Sequence, residues 1–366
     1  YLTYEVFKVE AESEVIRSFY LRRVDGKSLP HYEAGQFLPI RLTIPGQSEP
    51  VTRVYTLSDA PNGTHYRLSI KREGGDGLVS NFFHDQVSVG AHIEAMVPRG
   101  KFKVDQSSTR PVVLISAGVG ITPMVAIANF LVEEGIRTRT YRPTYFIHGT
   151  RNGRSHAFGT HIRHLAETYP SVTAHISYST PDPDDQVGID YDSEGYVDIE
   201  LLKQVLPFND FDFYLCGPQA FMQSLYTGLT DLGVRPERIH YESFGPSTVL
   251  EISTPKPPQA QAQVQAQAPT GPVKVRFAKS AIETEWTPKQ GTLLELAEAN
   301  GLKPPYSCRA GICGVCATRV QCGTVDYVEE PTGHFADGEA LICCSTPRSP
   351  SGKETCGEDI GIVLDL

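Results

Sequence analysis

The sequence predicts a multidomain protein: an antiparallel β-barrel over residues 1–107, an α/β domain with a parallel sheet over 108–250, a linker at 251–272 and a small cysteine-bearing domain at 273–366. Three observations carry that reading. Short alternating segments separated by Gly/Pro turns fill the first hundred residues, as in antiparallel barrels. From Pro111 the pattern changes to apolar strands alternating with helices, which argues for a parallel sheet covered on both faces. Residues 255–272 then combine prolines with a Gln/Ala alternation that has no apolar face to bury.

In chain order, barrel strands are expected at 4–9, 37–44, 66–71 and 92–97, with turn clusters such as Asp59-Ala60-Pro61-Asn62-Gly63 between them. Val112-Val113-Leu114-Ile115-Ser116 reads as a buried strand followed by a glycine turn. A helix is expected over 122–134, with Pro123 in its first turn and Gly135 just past its end. Strands recur at 144–148, 172–178, 211–216 and 238–243, with helices near 156–168, 199–206 and 219–232. The linker, as flexible coil, spans about 25 Å and leaves the last domain free to dock and undock.

The 366 residues suffice for two or three domains. Composition is ordinary for a globular protein, 40% hydrophobic and 21% charged, with no run long enough to predict a transmembrane helix. The net charge of −10 argues against nonspecific nucleic-acid binding. The chain begins with Tyr in strand-like sequence, which reads as part of a longer polypeptide.

The strongest chemical signal is Cys308-x4-Cys313-x2-Cys316 with a fourth thiol at Cys343 or Cys344. This is the plant-type spacing for a [2Fe–2S] cluster. Zinc ribbons usually pair two CxxC motifs, and disulfide frameworks suit short secreted chains. Gly311 and Gly314 allow a tight loop whose amides can reach the sulfurs. Cys322 and Cys356 have no partner in this pattern and read as ordinary thiols of a reducing cytoplasm.

Gly118-Val119-Gly120-Ile121-Thr122-Pro123 joins the first apolar strand to its helix. Backbone there can approach a pyrophosphate at a helix N-terminus, although Pro123 stands where the third glycine of the full fingerprint belongs. Cys216-Gly217-Pro218 forms a second strand-end turn, where Cys216 is either a small buried hydrophobe or a neighbour of nicotinamide. In the barrel, Arg53-Val54-Tyr55-Thr56 suits a ligand with phosphate and an aromatic ring. Read alone, Arg53 is an exposed charge beside a half-buried tyrosine. Gly77-Leu78-Val79-Ser80 offers a second phosphate turn.

Together these segments resemble the ferredoxin–NADP reductase superfamily. Arg53-x-Tyr55-Thr56, Gly77-x-Val79-Ser80, the Gly118 to Pro123 loop and Cys216-Gly217-Pro218 match its motifs in order. Residues 1–250 are most similar to the reductase half of flavohaemoglobins. The last part resembles the β-grasp, α+β ferredoxin domain of phthalate dioxygenase-type reductases. The resemblance implies that Arg53, Val54, Tyr55 and Thr56 hold the flavin, with Phe37 stacking near it. Ser69 and Lys71 would lie near the dinucleotide, and Gly77, Leu78, Val79 and Ser80 at the pyrophosphate. Gly118, Val119, Gly120, Ile121, Thr122 and Pro123, with Cys216, Gly217 and Pro218, would bind the pyridine nucleotide. Phe244, followed by Gly245, would cover the flavin ring, with Glu242 nearby; Phe244, Glu242, Cys216 and Thr56 are the catalytic candidates. The ferredoxin-like register selects Cys343 as fourth ligand beside Cys308, Cys313 and Cys316.

The barrel motifs imply FAD rather than the FMN of phthalate-type reductases. Likeness favours NADH, with NADPH open because Arg151 and Arg154 follow the second strand of the α/β domain. The function implied is an NAD(P)H-dependent flavin and iron–sulfur reductase in the cytoplasm. Its acceptor would be an outside oxygenase or haem protein, or a domain preceding Tyr1 for which this chain is the electron supply. A redox-sensing binder without turnover is the remaining reading. No nucleic acid or membrane partner is expected. Residues 273–366 carry 13 acidic against 9 basic side chains, which suits docking on a basic partner and equally suits solubility.

Overall fold

The computed structural model describes residues 1–48, 50–75, 77–244, 272–307, 309, 311, 313–328, 331, 333, 335–348, 356 and 360–366. Gly245, Cys308 and all of the expected linker except Pro272 lie outside them. The chain divides into two compact units, Tyr1–Ile252 and Ser253–Leu366.

The first unit opens with β1 (Leu2–Ala11), β2 (Ile16–Arg23), β3 (Phe37–Leu42), β4 (Val51–Thr56), β5 (Tyr66–Lys71), α1 (Leu78–Gln86) and β6 (His92–Ala95). The strands form an antiparallel sheet in the order β4-β3-β6-β1-β2-β5. A bridge between Leu57 and Leu68 joins the two edges and closes the barrel, so no long edge is left unpaired. Tyr4, Phe19, Leu21, Leu38, Ile40 and Leu68 fill its interior. Helix α1 sends Phe83 into the same core, edge-on to Phe19 with ring centroids 5.0 Å apart.

The same unit continues with β7 (Val112–Ala117), α2 (Ile121–Thr138), β8 (Thr144–Thr150), α3 (Gly159–Thr168), β9 (Val172–Tyr178), β10 (Ser193–Glu194), α4 (Ile199–Val205), β11 (Asp212–Cys216), α5 (Gln219–Asp231) and β12 (Ile239–Glu242). Every strand pair is parallel, in the order β10-β9-β8-β7-β11-β12. Strand β7 shows why both faces carry helices. Val112 and Leu114 pack with α2 and α3, while Val113 and Ile115 pack with α5 and Leu202 of α4. A period of two therefore buries every residue of the apolar run. The sheet reverses its order at β7, so the ends of β7 and β11 flank the switch point where such folds bind ligands.

Helix α2 corrects one expectation. It does not stop before Gly135 but runs to Thr138, and Arg139 ends it in the left-handed region at φ 60°. A Cβ on Gly135 would lie 2.4 Å from the Tyr141 ring, so this glycine makes room for a neighbour within the helix. By length and composition Gly118–Thr138 is apolar enough to cross a membrane; here it is the central core helix, with 67% of its apolar window buried.

The second unit holds β13 (Val273–Phe277), β14 (Ile282–Trp286), α6 (Leu293–Ala299), β15 (Ala317–Cys322), β16 (Val325–Tyr327), β17 (Glu339–Leu341), β18 (Ser345–Pro347) and β19 (Ile362–Leu364). Five strands pair in the order β14-β13-β19-β15-β17, with β13 and β19 parallel, and β16 pairs β18. Thr292 and Glu295 cap α6 reciprocally. The helix buries Leu293, Leu294 and Leu296 with Val275, Phe277, Trp286 and Ile362. This is the α+β ferredoxin fold.

The expectation that Cys322 and Cys356 are ordinary thiols is overturned. They form a disulfide with Cα atoms 5.8 Å apart. The cause is tertiary: Cys322 ends β15 opposite Val363 of β19, and Cys356 lies just before that strand, where its amide donates to the Ile360 carbonyl. Their 34-residue separation hides this proximity in the sequence.

Candidate functional site

In the first unit, polar side chains gather where β4 of the barrel meets β12. Glu242 ends β12 and is 9% exposed. Burial pushes its carboxyl up to about 8, opposed in part by the nearby Thr56 hydroxyl. That proximity is not a formed hydrogen bond: both Thr56 Oγ1 and Glu242 Oε2 are buried without a partner. Two orphaned polar atoms at one point are costly unless a ligand completes them.

Strand register extends this centre sideways. Glu242 stands beside Cys216, Cys216 beside Ser116, and Ser116 beside His148, at one level of β12, β11, β7 and β8. Burial and then the Glu242 charge push the Cys216 thiol well up, so it is a neutral neighbour. Ser116 Oγ and His148 Nδ1 are 2.8 Å apart, and burial holds that imidazole neutral. Sequence reasoning passed over Ser116 and His148. Their signal was a polar residue following the apolar run of each strand, Val112 to Ile115 and Phe146 to Ile147.

Two glycine turns close over this row. Gly118–Gly120 is a single 3-10 turn leading straight into α2, and Gly118 has φ 56°. A Cβ on Gly120 would lie 2.2 Å from the Cys216 carbonyl oxygen and 2.8 Å from the Gly217 amide nitrogen. Only glycine lets the two loops touch. Val119 lies beside the core of α2 and α3, while Ile121, Thr122 and Pro123 are buried in the helix's first turn. Thr122 Oγ1 donates to the Val119 carbonyl and thereby braces the loop. Pro218 caps α5. Phe244 is 43% exposed, two residues beyond Glu242.

The barrel residues separate into those that face this centre and those that do not. Arg53 is exposed, Val54 and Tyr55 half-buried, and Thr56 buried. Tyr55 packs edge-on to Phe83, with centroids 5.8 Å apart. Gly77 precedes α1, whose first residues are Leu78, Val79 and Ser80; Ser80 Oγ donates to the Gly77 carbonyl and accepts from the Glu73 amide. Lys71 reaches Glu73 at 3.3 Å. Three further candidates have partners within the fold. Phe37 lies opposite Thr56 and is buried against Gly100. Ser69 Oγ is 2.7 Å from both Ser18 Oγ and Ser58 Oγ. In the α/β domain, Arg154 donates from Nε and Nη2 to Asp182 at 2.8 Å, whereas Arg151 is exposed.

In the second unit, Cys313, Cys316 and Cys343 are buried. The Cys316 thiol is raised first by its hydrogen bond with Cys343, then by burial, with Cys313 contributing. No closed group of three metal-type ligands stands among the described residues, which do not include Cys308. The Gly311 amide donates to Cys343 Sγ at 3.4 Å, whereas Cys344 Sγ turns to the Leu341 carbonyl at 3.4 Å. Arg309 in the same loop has φ 52°, pairs with Glu298 of α6 at 2.6 Å and lies 4.0 Å from the Tyr306 ring centroid. The loop is thus tethered to the fold by side chains other than the thiols.

These residues fit the groups that such chemistry needs. The orphaned Thr56 and Glu242 atoms await the polar edge of a ring system, and the touching glycine loops leave backbone amides at a helix N-terminus. Buried thiols with an amide aimed at sulfur suit an iron–sulfur cluster.

Comparison with known proteins agrees. Residues 4–104 match the oxidoreductase FAD-binding domain, 114–226 the oxidoreductase NAD-binding domain and 276–348 the 2Fe-2S iron-sulfur cluster binding domain. The flavohem-like FAD/NAD-binding domain of nitric oxide dioxygenase from Vibrio cholerae O1 biovar El Tor is 36% identical with a TM-score of 0.59; the match covers 67% of this chain and 99% of that one. Phthalate dioxygenase reductase, described as a modular structure for electron transfer from pyridine nucleotides to [2Fe-2S], is 26% identical with a TM-score of 0.56, covering 100% and 98%. A flavohemoprotein of Bacillus cereus (strain ATCC 14579) is 41% identical over 250 residues, which are 67% of this chain and 61% of that protein. The chain thus spans about three-fifths of the length of the curated relatives it matches.

Fold and site together define a modular oxidoreductase with FAD-binding, NAD-binding and 2Fe-2S domains. The chain belongs to the ferredoxin–NADP reductase superfamily.

Proposed function

We propose that this chain oxidises NADH at its first unit and delivers single electrons from its second to an oxygenase or haem protein, separate or fused in one polypeptide. The flavin, when bound, supplies the conversion between two-electron hydride chemistry and the one-electron chemistry of a cluster. The observation that carries this reading is the pair of orphaned atoms, Thr56 Oγ1 and Glu242 Oε2, beside the touching glycine loops.

The chain's own residues then have distinct tasks. The Gly118–Gly120 turn and the first turn of α2 bind the pyrophosphate of the nucleotide through amides and the helix dipole, and Gly217 and Pro218 form the facing wall. Arg53, Val54, Tyr55, Lys71 and the Gly77–Ser80 turn hold the flavin and its phosphates. Glu242, with its carboxyl raised to about 8, keeps a proton at neutral pH and donates it as a hydrogen bond to the bound ring edge. Cys216, as a neutral thiol, and Phe244, with Gly245 after it, would lie beside the flavin ring and help to admit the nucleotide. Cys308, Cys313, Cys316 and Cys343 hold the cluster.

NADH follows the likeness to flavohaemoglobin-type reductases, with Arg154 paired to Asp182 and Arg151 exposed. The modular reading assigns 1–107 to the flavin, 108–250 to the nucleotide, 251–272 to a linker and 273–366 to the cluster, in a cytoplasmic protein.

Anaerobic mixing of the purified chain with NADH should bleach the flavin absorbance and then reduce cytochrome c. NADPH should act with about tenfold lower kcat/KM. An unbleached flavin with either nucleotide would sink the reading.

A further inference from the structure

Between the two cofactor-binding halves of the first unit lies a polar junction that the expected site does not use. Asp59 follows the flavin strand β4 by three residues. Its Oδ1 accepts from Asn129 Nδ2 at 2.9 Å and from the Ala60 amide at 2.9 Å. Asn129 sits two turns along α2, the helix that starts at the glycine turn for the nucleotide. Because its Nδ2 is given to the carboxylate, its Oδ1 faces His161 Nε2 of α3 at 2.7 Å and accepts that proton. His65 and Arg67 flank Asp59 at 3.6 and 3.7 Å, and the Arg67 guanidinium lies 5.0 Å from the centre of the Phe158 ring.

We infer that Asp59, Asn129 and His161 form a latch of positioning residues that fixes the nicotinamide loop against the flavin strand and so sets the hydride-transfer geometry. This rests on the reductase reading above. The lever is short at both ends. Asp59 is three residues from Thr56, and Asn129 shares one rigid helix with the Gly118–Gly120 turn. Because α2 is one continuous helix, a small shift at this contact reaches the nucleotide loop at its start. Hydride transfer is steep in distance, so misplacement near 1 Å costs about 100-fold.

The test uses the full chain and anaerobic stopped-flow reduction of its flavin by NADH. Asn129→Asp sets two carboxylates face to face. It should lower the limiting reduction rate between about 10- and 100-fold, with flavin content and the visible spectrum unchanged. The exchanged pair, Asp59→Asn with Asn129→Asp, restores donor to acceptor and leaves a carboxylate to accept from His161. It should recover the rate to within about threefold of wild type. If Asn129→Asp does not fold, Asn129→Ser removes both contacts without a charge and is expected to lower the rate in the same way. A lowered thermal midpoint with an unchanged reduction rate would overturn the latch, as would an exchanged pair that restores the midpoint but not the rate. Failure of the underlying reading is separate: the wild-type flavin itself would then not bleach with NADH.

Discussion

The thiols of the second unit come from one nine-residue loop and one turn after β17, whereas the polar centre of the first draws Thr56, Gly120, Cys216 and Glu242 from four elements between positions 56 and 242. In the loop, ligand type and spacing carry the chemistry, and the fold has only to hold the loop, as Arg309 does through Glu298. In the distributed centre no single residue is informative. What matters there is that two loops touch and that a barrel hydroxyl meets a sheet carboxyl. A compact site should therefore fail by loss of a ligand, and a distributed one by small displacements of backbone.

The largest effect should come from the compact site. Cys343→Ser is expected to abolish the cluster's visible absorbance and lower cytochrome c reduction by about 100-fold or more, while NADH still bleaches the flavin. Cys344→Ser should keep both, because the Gly311 amide donates to the Cys343 sulfur and the ferredoxin-like register selects Cys343. Equal losses in the two variants would show that adjacent thiols are not distinguished.

Next is the contact between loops. Gly120→Ala places a methyl 2.2 Å from the Cys216 carbonyl oxygen, a backbone clash that no rotamer relieves. NADH-dependent flavin reduction should fall by about 100-fold, with the cluster spectrum intact. Wild-type kinetics in this variant would mean that the two turns move apart freely.

The smallest effect concerns Glu242. Its folded-state carboxyl is raised from 4.5 to about 8, so its proton is held in the folded chain over a range where the unfolded chain has lost it. Stability from this group is complete below pH 4.5 and is lost as pH rises towards 8, by about 3 kcal/mol at pH 7. Glu242→Gln should flatten that slope, measured as the thermal midpoint of the flavin-free chain from pH 4.5 to 8. Parallel profiles for the two proteins would rule out the buried, neutral carboxyl.

Much of the architecture was legible because it is local. The continuous run Val112-Val113-Leu114-Ile115 announced a strand buried on both faces, and the cysteine spacing announced its cluster. Errors arose where a residue's purpose lay in a distant neighbour. Gly135 looked like a helix stop and is a seat for Tyr141, and Cys322 and Cys356 looked like ordinary thiols and bond each other.

The sequence by itself determined the order of the domains, the parallel and antiparallel character of the sheets and a cysteine loop with the spacing of cluster ligands. These follow from periodicity and from ligands a few residues apart, which the chain carries wherever it folds. Only the tertiary structure decided that Cys322 bonds Cys356, that Asp59 reaches Asn129, and that Thr56 and Glu242 are left facing each other without partners. The physical reason is common to all three. Each depends on the packing of elements far apart in sequence, and burial then fixes the protonation, bonding or orphaned state that one-dimensional spacing does not contain.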